Sequence, residues 1–121
     1  MAGDGPAGDR AVQRVLNRAS TPNLDRRTEK ELIDLASRIW KAEVTGQNRA
    51  QWPDYFTDKP LRSPLRDVRI QAAIARATDD KDHRVEVRLV WAGARESGPV
   101  EDGRLGQVVL TRYQDNWRPV R

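Results

Sequence analysis

An α+β domain, with N-terminal helices packed on an antiparallel sheet of three to four strands, is predicted by three observations. Leu32, Leu35, Ala36 and Ile39 recur at i, i+3, i+4 and i+7, the spacing of one helical face. Val85, Val87, Leu89 and Trp91 alternate with Arg84, Glu86, Arg88 and Val90, the period of a half-buried strand. The helical pattern occupies the first half of the chain and the alternating one the second, so helices and strands are segregated instead of interleaved.

Residues 1–9 hold Gly, Pro, Ala and Asp without periodicity and read as a flexible arm, leaving 10–121 as a single domain. Val12, Val15 and Leu16 then mark a short helix that Ser20-Thr21-Pro22-Asn23 stops. Thr28 with Glu31 three residues on has the pattern of a capping box, which predicts a second helix over 28–45 with Gly46 as its stop. Trp52, Tyr55 and Phe56 cluster around Pro53 in a short helical lid, where Trp52 and Phe56 share a face. The span 57–64 carries two prolines and reads as a connection. Over 67–77 the set Val68, Ile70, Ala72 and Ile74 alternates with Arg69, Gln71, Ala73 and Ala75, which favours a strand, yet the alanines also permit a helix. Asp79-Asp80-Lys81-Asp82 is a turn into the strand of Val85 to Trp91. Gly93 to Gly103 reads as a long hairpin loop, and Leu105 to Tyr113 as the next strand, with Val108, Val109 and Leu110 at its centre. After the turn Gln114-Asp115-Asn116, Trp117 to Val120 forms an edge strand, the place where Pro119 costs no ladder bond.

Composition excludes more than it assigns. The 121 residues include 22 Lys+Arg against 18 Asp+Glu, a formal net charge of +4, and no Cys. Disulfides and Cys-based zinc sites are therefore excluded. No apolar run approaches the length of a membrane-spanning helix, and the first residues lack the charged and apolar regions of a secretory signal. The bases are mostly Arg, interspersed with acids as in Arg84-Val85-Glu86-Val87-Arg88. That mixing suits a solvated surface better than a polyanion groove, so nucleic acid is disfavoured as a partner. The compartment expected by default is the cytoplasm, with a longer native chain carrying an anchor left open.

The helix ending Arg38-Ile39-Trp40, the aromatic turn Trp52-Pro53-Asp54-Tyr55-Phe56 and the close Val108 to Tyr113 followed by Trp117-Arg118-Pro119-Val120 resemble the nuclear transport factor 2-like superfamily over residues 28–121. The related cystatin-like fold, one helix across an antiparallel sheet, fits nearly as well. The resemblance implies a cone-shaped, curved sheet and three unlike jobs: small-molecule enzymes such as isomerases, ligand carriers, and non-catalytic assembly domains. The last group includes soluble domains of conjugation and type IV secretion subunits. Fold alone does not choose among them.

The side chains favour binding over catalysis. An isomerase-like site needs a carboxylate base in an apolar cone and an oxyanion donor, for which Tyr55 and Asp58 are the local candidates. Glu86 lies on the polar side of its alternation, where a solvated strand face explains it. Trp52, Tyr55, Phe56 and Trp91 are the candidate lining of a pocket in that cone. Asp79, Asp80, Asp82 and His83 could be read as a metal site, but a charged hairpin turn explains them more simply, and no metal or cofactor is expected. With one His and no Cys there is no nucleophilic triad, and no glycine-rich loop joins a strand to a helix. Arg88, Arg112, Trp117 and Arg118 combine cations with an aromatic, the chemistry of a protein interface. The expectation is a non-enzymatic binding or assembly domain with a protein partner, a second copy being one candidate. The alternatives are an isomerase-like enzyme using the cone, and nucleic-acid binding on an Arg-rich sheet.

Overall fold

In the computed structural model, which describes residues 6–57, 63–78 and 83–121, two helices pack on one open antiparallel sheet. The order is α1 (Pro6–Ala19), α2 (Arg26–Thr45), a 3-10 turn (Arg49–Gln51), β1 (Arg66–Ala77), β2 (Arg84–Ala94), β3 (Val100–Tyr113) and β4 (Asn116–Val120). The strands lie in chain order, β1-β2-β3-β4. This is the α+β arrangement that the two periodicities predict.

The stripe Leu32, Ala36, Ile39 of α2 is fully buried against Ala73 and Ala75 of β1, Val85, Val87 and Leu89 of β2, and Val108 and Leu110 of β3. The alanines that made 67–77 ambiguous are thus the floor of the helix: small side chains let α2 approach the sheet closely. What makes β1 a strand is tertiary, namely its antiparallel ladder with β2 from Arg66↔Ala94 to Ala77↔Val85. A helix start also needs a cap, and here the capping residue differs from the expected one. Asp25, in extended backbone, accepts hydrogen bonds from Thr28 N (2.9 Å) and Thr28 Oγ1 (2.8 Å), so α2 begins at Arg26 and Thr28 is held by the cap. The Thr28 backbone bond, then the Thr28 hydroxyl, hold the Asp25 carboxyl below its ordinary range. Gly46 ends the helix in left-handed backbone (φ 77°), as its position suggested.

Three further boundaries differ from the sequence expectation. Residues 6–9, expected within the arm, form the first turn of α1. Pro6 suits the opening position of a helix, and Asp9 is tied to Arg69 by an ion pair and accepts from Gln71 Nε2 at 3.2 Å. The long loop expected over 93–103 shrinks to 95–99, because β2 runs on through Ala94 and β3 starts at Val100. Arg66 holds that short loop, donating from Nη2 to Gly98 O at 2.6 Å and from Nε to Glu96 O at 3.3 Å. Finally, the simple alternation in β1 is interrupted by a bulge between Ile70 and Ala72. Ile70, Ala73, Ala75 and Ala77 therefore pack with α2, while Ala72 and Ile74 are buried on the other face. Among the described residues no helix is long and apolar enough to cross a membrane.

β1 is an edge strand whose outward backbone groups are answered by side chains. Gln13 donates to Ala73 O (2.8 Å) and accepts from Ala73 N (3.0 Å), and Asn23 does the same for Ala77 at 2.9 Å each way. Between them, Glu29 accepts from Ala75 N (3.0 Å) and from Arg76 Nη1 (2.6 Å), while Arg76 Nη1 also donates to Ala75 O (2.9 Å). Two amides and one salt bridge stand in for a missing fifth strand.

Candidate interaction surface

The direction of the Ala73 backbone fixes which groups of the sheet point outward. Since Ala73 turns its N–H and C=O to Gln13, the facing Leu89 turns its own toward β3, by the alternation of antiparallel ladders. Leu89 pairs with Gly106 and Trp91 with Arg104, so these two residues of β3 face β2, and Leu105 and Gln107 face away from it. β4 covers β3 only from Val109 to Tyr113. The outer edge of β3 from Val100 to Val108 carries no strand, and Leu105 and Gln107 have no backbone partner there among the described residues.

The side chains add to this opening. Val108 and Leu110 face α2, so Leu105, Gln107, Val109 and Thr111 occupy the opposite face with Arg88 and Arg118. α1 packs mainly on β1, and Leu105 is left 80% exposed. A concavity of about 610 Å³ is lined by Leu16, Trp40, Arg88, Leu89, Val90, Leu105, Gly106 and Gln107. Its shape depends on Gly106, where a Cβ would stand 2.7 Å from the Trp40 ring. Near the end of the sheet Arg118 stacks over Tyr113 at 4.0 Å, and Tyr113 is half exposed. An exposed leucine in a regular strand beside an apolar hollow and an unpaired edge is the chemistry of an interaction surface.

The residues singled out from the sequence divide among several places. Arg88 and Arg118 lie on the open face, but Arg112 and Trp117 alternate onto the α2 side, where Trp117 packs against the core. Arg112 donates from Nε to Gln114 O at 3.3 Å, so the four do not form one patch. Trp52, Tyr55 and Phe56 make a tight group, but in a turn after the short helix Arg49–Gln51 and not in the helix expected around Pro53, with edge-to-face contacts at 6.3 Å for Trp52–Phe56 and 4.9 Å for Tyr55–Phe56. Arg121 stacks on Tyr55 at 3.9 Å and Arg49 on Phe56 at 4.7 Å. Arg49 also donates to Ala42 O (3.0 Å) and Glu43 O (2.6 Å), closing the C-terminus of α2. Glu43 accepts from Arg121 at 2.8 Å, so the lid is bolted to the helix by two guanidinium groups.

Trp91 is elsewhere. It is 3% exposed, sandwiched between Trp40 (5.6 Å, edge-to-face) and the Arg104 guanidinium (4.3 Å). Trp52 lines a hollow of about 460 Å³ with Arg38, Lys41, Asn48 and Arg66, whereas Trp91 lines one of about 520 Å³ with Glu43, Arg95 and Arg104. Beneath Leu32, Ala36 and Ile39 the space between α2 and the sheet is filled by core side chains, the two hollows lie toward the C-terminal end of α2, and Tyr55 lines neither of them. Burial raises the Tyr55 hydroxyl above the ordinary tyrosine range, Arg121 opposing the rise. Asp58 lies outside the described residues, as do Asp79, Asp80 and Asp82; among the described residues no cluster of His, Asp and Glu could hold a metal ion.

Leu105 is the surface residue that sequence reasoning missed. Its signal was present: it stands an odd number of residues from both Val108 and Leu110, which places it on the face opposite the core. No protein-family model, curated protein or solved structure matches this chain.

Proposed function

We propose that this protein is a non-enzymatic binding or assembly domain that acts through protein–protein contacts. The observation that carries this is the exposure of Leu105 beside the apolar hollow and the unpaired edge of β3. The long α2 lying on one face of a four-stranded antiparallel sheet supports placing the domain with nuclear transport factor 2-like and cystatin-like folds. Within that superfamily the packed core under Leu32, Ala36 and Ile39, with Tyr55 lining neither hollow at the end of α2, favours an assembly role, like that of soluble domains in conjugation and secretion machinery, over isomerase chemistry.

The test is site-specific photocrosslinking in cells that make the protein. A photoreactive phenylalanine at position 105 is expected to give discrete adducts of higher mass, while the same group at Asp34, exposed on the outside of α2, gives none. Equal labelling at both positions, or no adduct at 105, would overturn the reading.

A further inference from the structure

We propose that the partner strand of β3 is β3 of a second copy, the two chains joining edge to edge about a two-fold axis that passes between Asp102 and Gly103. This rests on the assembly reading and names the occupant of its surface. Unlike the edge of β1, this edge has no side chains among the described residues answering Leu105 and Gln107, so it is open to a further strand, and the numbering of β3 shows which one fits.

The bulge at Asp102-Gly103 decides the register. Trp91 pairs with Arg104 and Gly93 with Glu101, so one residue of β2, Ala92, is matched by two of β3, Asp102 and Gly103, with Gly103 in left-handed backbone (φ 67°). Glu101 and Arg104 consequently share the α2 face, while Val100 and Leu105 share the open face. By the same alternation, Val100 and Leu105 both turn their backbone groups outward. An antiparallel copy aligned on this bulge sets Val100 opposite Leu105 of the second copy and Glu101 opposite its Arg104, each pair occurring twice. The apolar pairs cover two of the exposed large hydrophobic residues, Val100 at 53% and Leu105 at 80%. The charged pairs join an exposed carboxylate to a guanidinium already fixed over Trp91. Bulge faces bulge; Gly103 N donates to Gln71 Oε1 within its own chain at 2.7 Å, and a Cβ at Gly103 would meet nothing of that chain within 4 Å. In this register the strand pairing runs from Val100 to Leu105 of each copy, short of the segment from Val109 onward that β4 covers, and residues 106–108 face the 97–99 loop of the second copy.

Sedimentation velocity on the intact chain tests this with a charge swap. The unmodified protein is expected to dimerise. Glu101→Arg alone and Arg104→Glu alone each place like charges at both contacts and are expected to weaken the dimer about tenfold or more. An equimolar mixture of the two variants restores opposite charges at both contacts, so a heterodimer is expected, as is a homodimer of the double variant E101R/R104E. Circular dichroism of each single variant confirms that it is folded. A dimer that survives both single variants, or a mixture that stays monomeric, overturns this pairing and leaves the assembly reading intact. A monomeric unmodified chain also overturns it, and the crosslinking at position 105 then decides whether another protein occupies the surface.

Discussion

The two edges of this sheet are finished in opposite ways. β1 spans twelve residues, and its outward groups are answered by Gln13 at Ala73, by Asn23 at Ala77, and at Ala75 by Glu29 for the N–H and Arg76 for the C=O. On the other side, the five-residue β4 covers less than half of the fourteen-residue β3 and leaves Leu105 and Gln107 pointing at solvent. A protein that blocked every edge would remain alone; one that blocks a single edge directs association to the other. The contrast also separates roles. At β1, polar side chains are structural, since they satisfy backbone groups that would otherwise be buried without partners. At β3, apolar side chains are exposed although the fold gains nothing from their exposure.

Substitutions should break this contrast in graded steps. Glu29→Ala removes the acceptor shared by Ala75 N and Arg76, whose side chain is 11% exposed, and is expected to cost about 3–5 kcal/mol in urea denaturation. Gly106→Val forces the Trp40 ring off the sheet, and overpacking of that kind costs about 1–3 kcal/mol in the same measurement. Gln13→Ala opens the β1 edge at a single residue and is expected to cost about 1–2 kcal/mol, with faster amide exchange at Ala73 as its local signature. Leu105→Lys is expected to leave stability within about 0.5 kcal/mol while weakening self-association. That asymmetry between the two edges is the sharpest check of all. Tyr55 supplies a pH test at the lid. Its folded pKa is raised, so the contribution is complete below the unfolded value of 10.0 and is lost as pH rises through the folded one. Absorbance titration should show late ionisation, and Tyr55→Phe should reduce the alkaline loss of stability.

Much of the architecture was legible because it rests on local periods. The stripe of α2, the alternation of β2 and the turn at Gln114 each announce themselves within a few residues. What was not legible depends on partners far away in the chain. Gln13 and Ala73 are 60 residues apart, and a glutamine that imitates a strand leaves no periodic mark. Bulges hide in the same way: one extra residue at Gln71 or at Asp102-Gly103 shifts every later side chain to the other face, and the alternation looks regular until pairing is known. The start of α2 shows a third cause. Thr28 was expected to cap and Asp25 does so; both residue types suit the position, and only backbone direction separates them. For the candidate site, the aromatic lid was readable as a cluster, but Trp91 was not separable from it by sequence distance alone.

The guards of β1 have one more consequence, which concerns time. Gln13, Asn23 and Glu29 all precede the strand they protect, by 60, 54 and 46 residues respectively. A chain made from its N-terminus therefore exposes each guard before Ala73, Ala75 and Ala77 leave the ribosome. The first strand to emerge finds its outer side already provided for, and it waits only for β2. The open edge of β3 follows β1 and β2 in the chain, so association through it begins only after those two strands have been made.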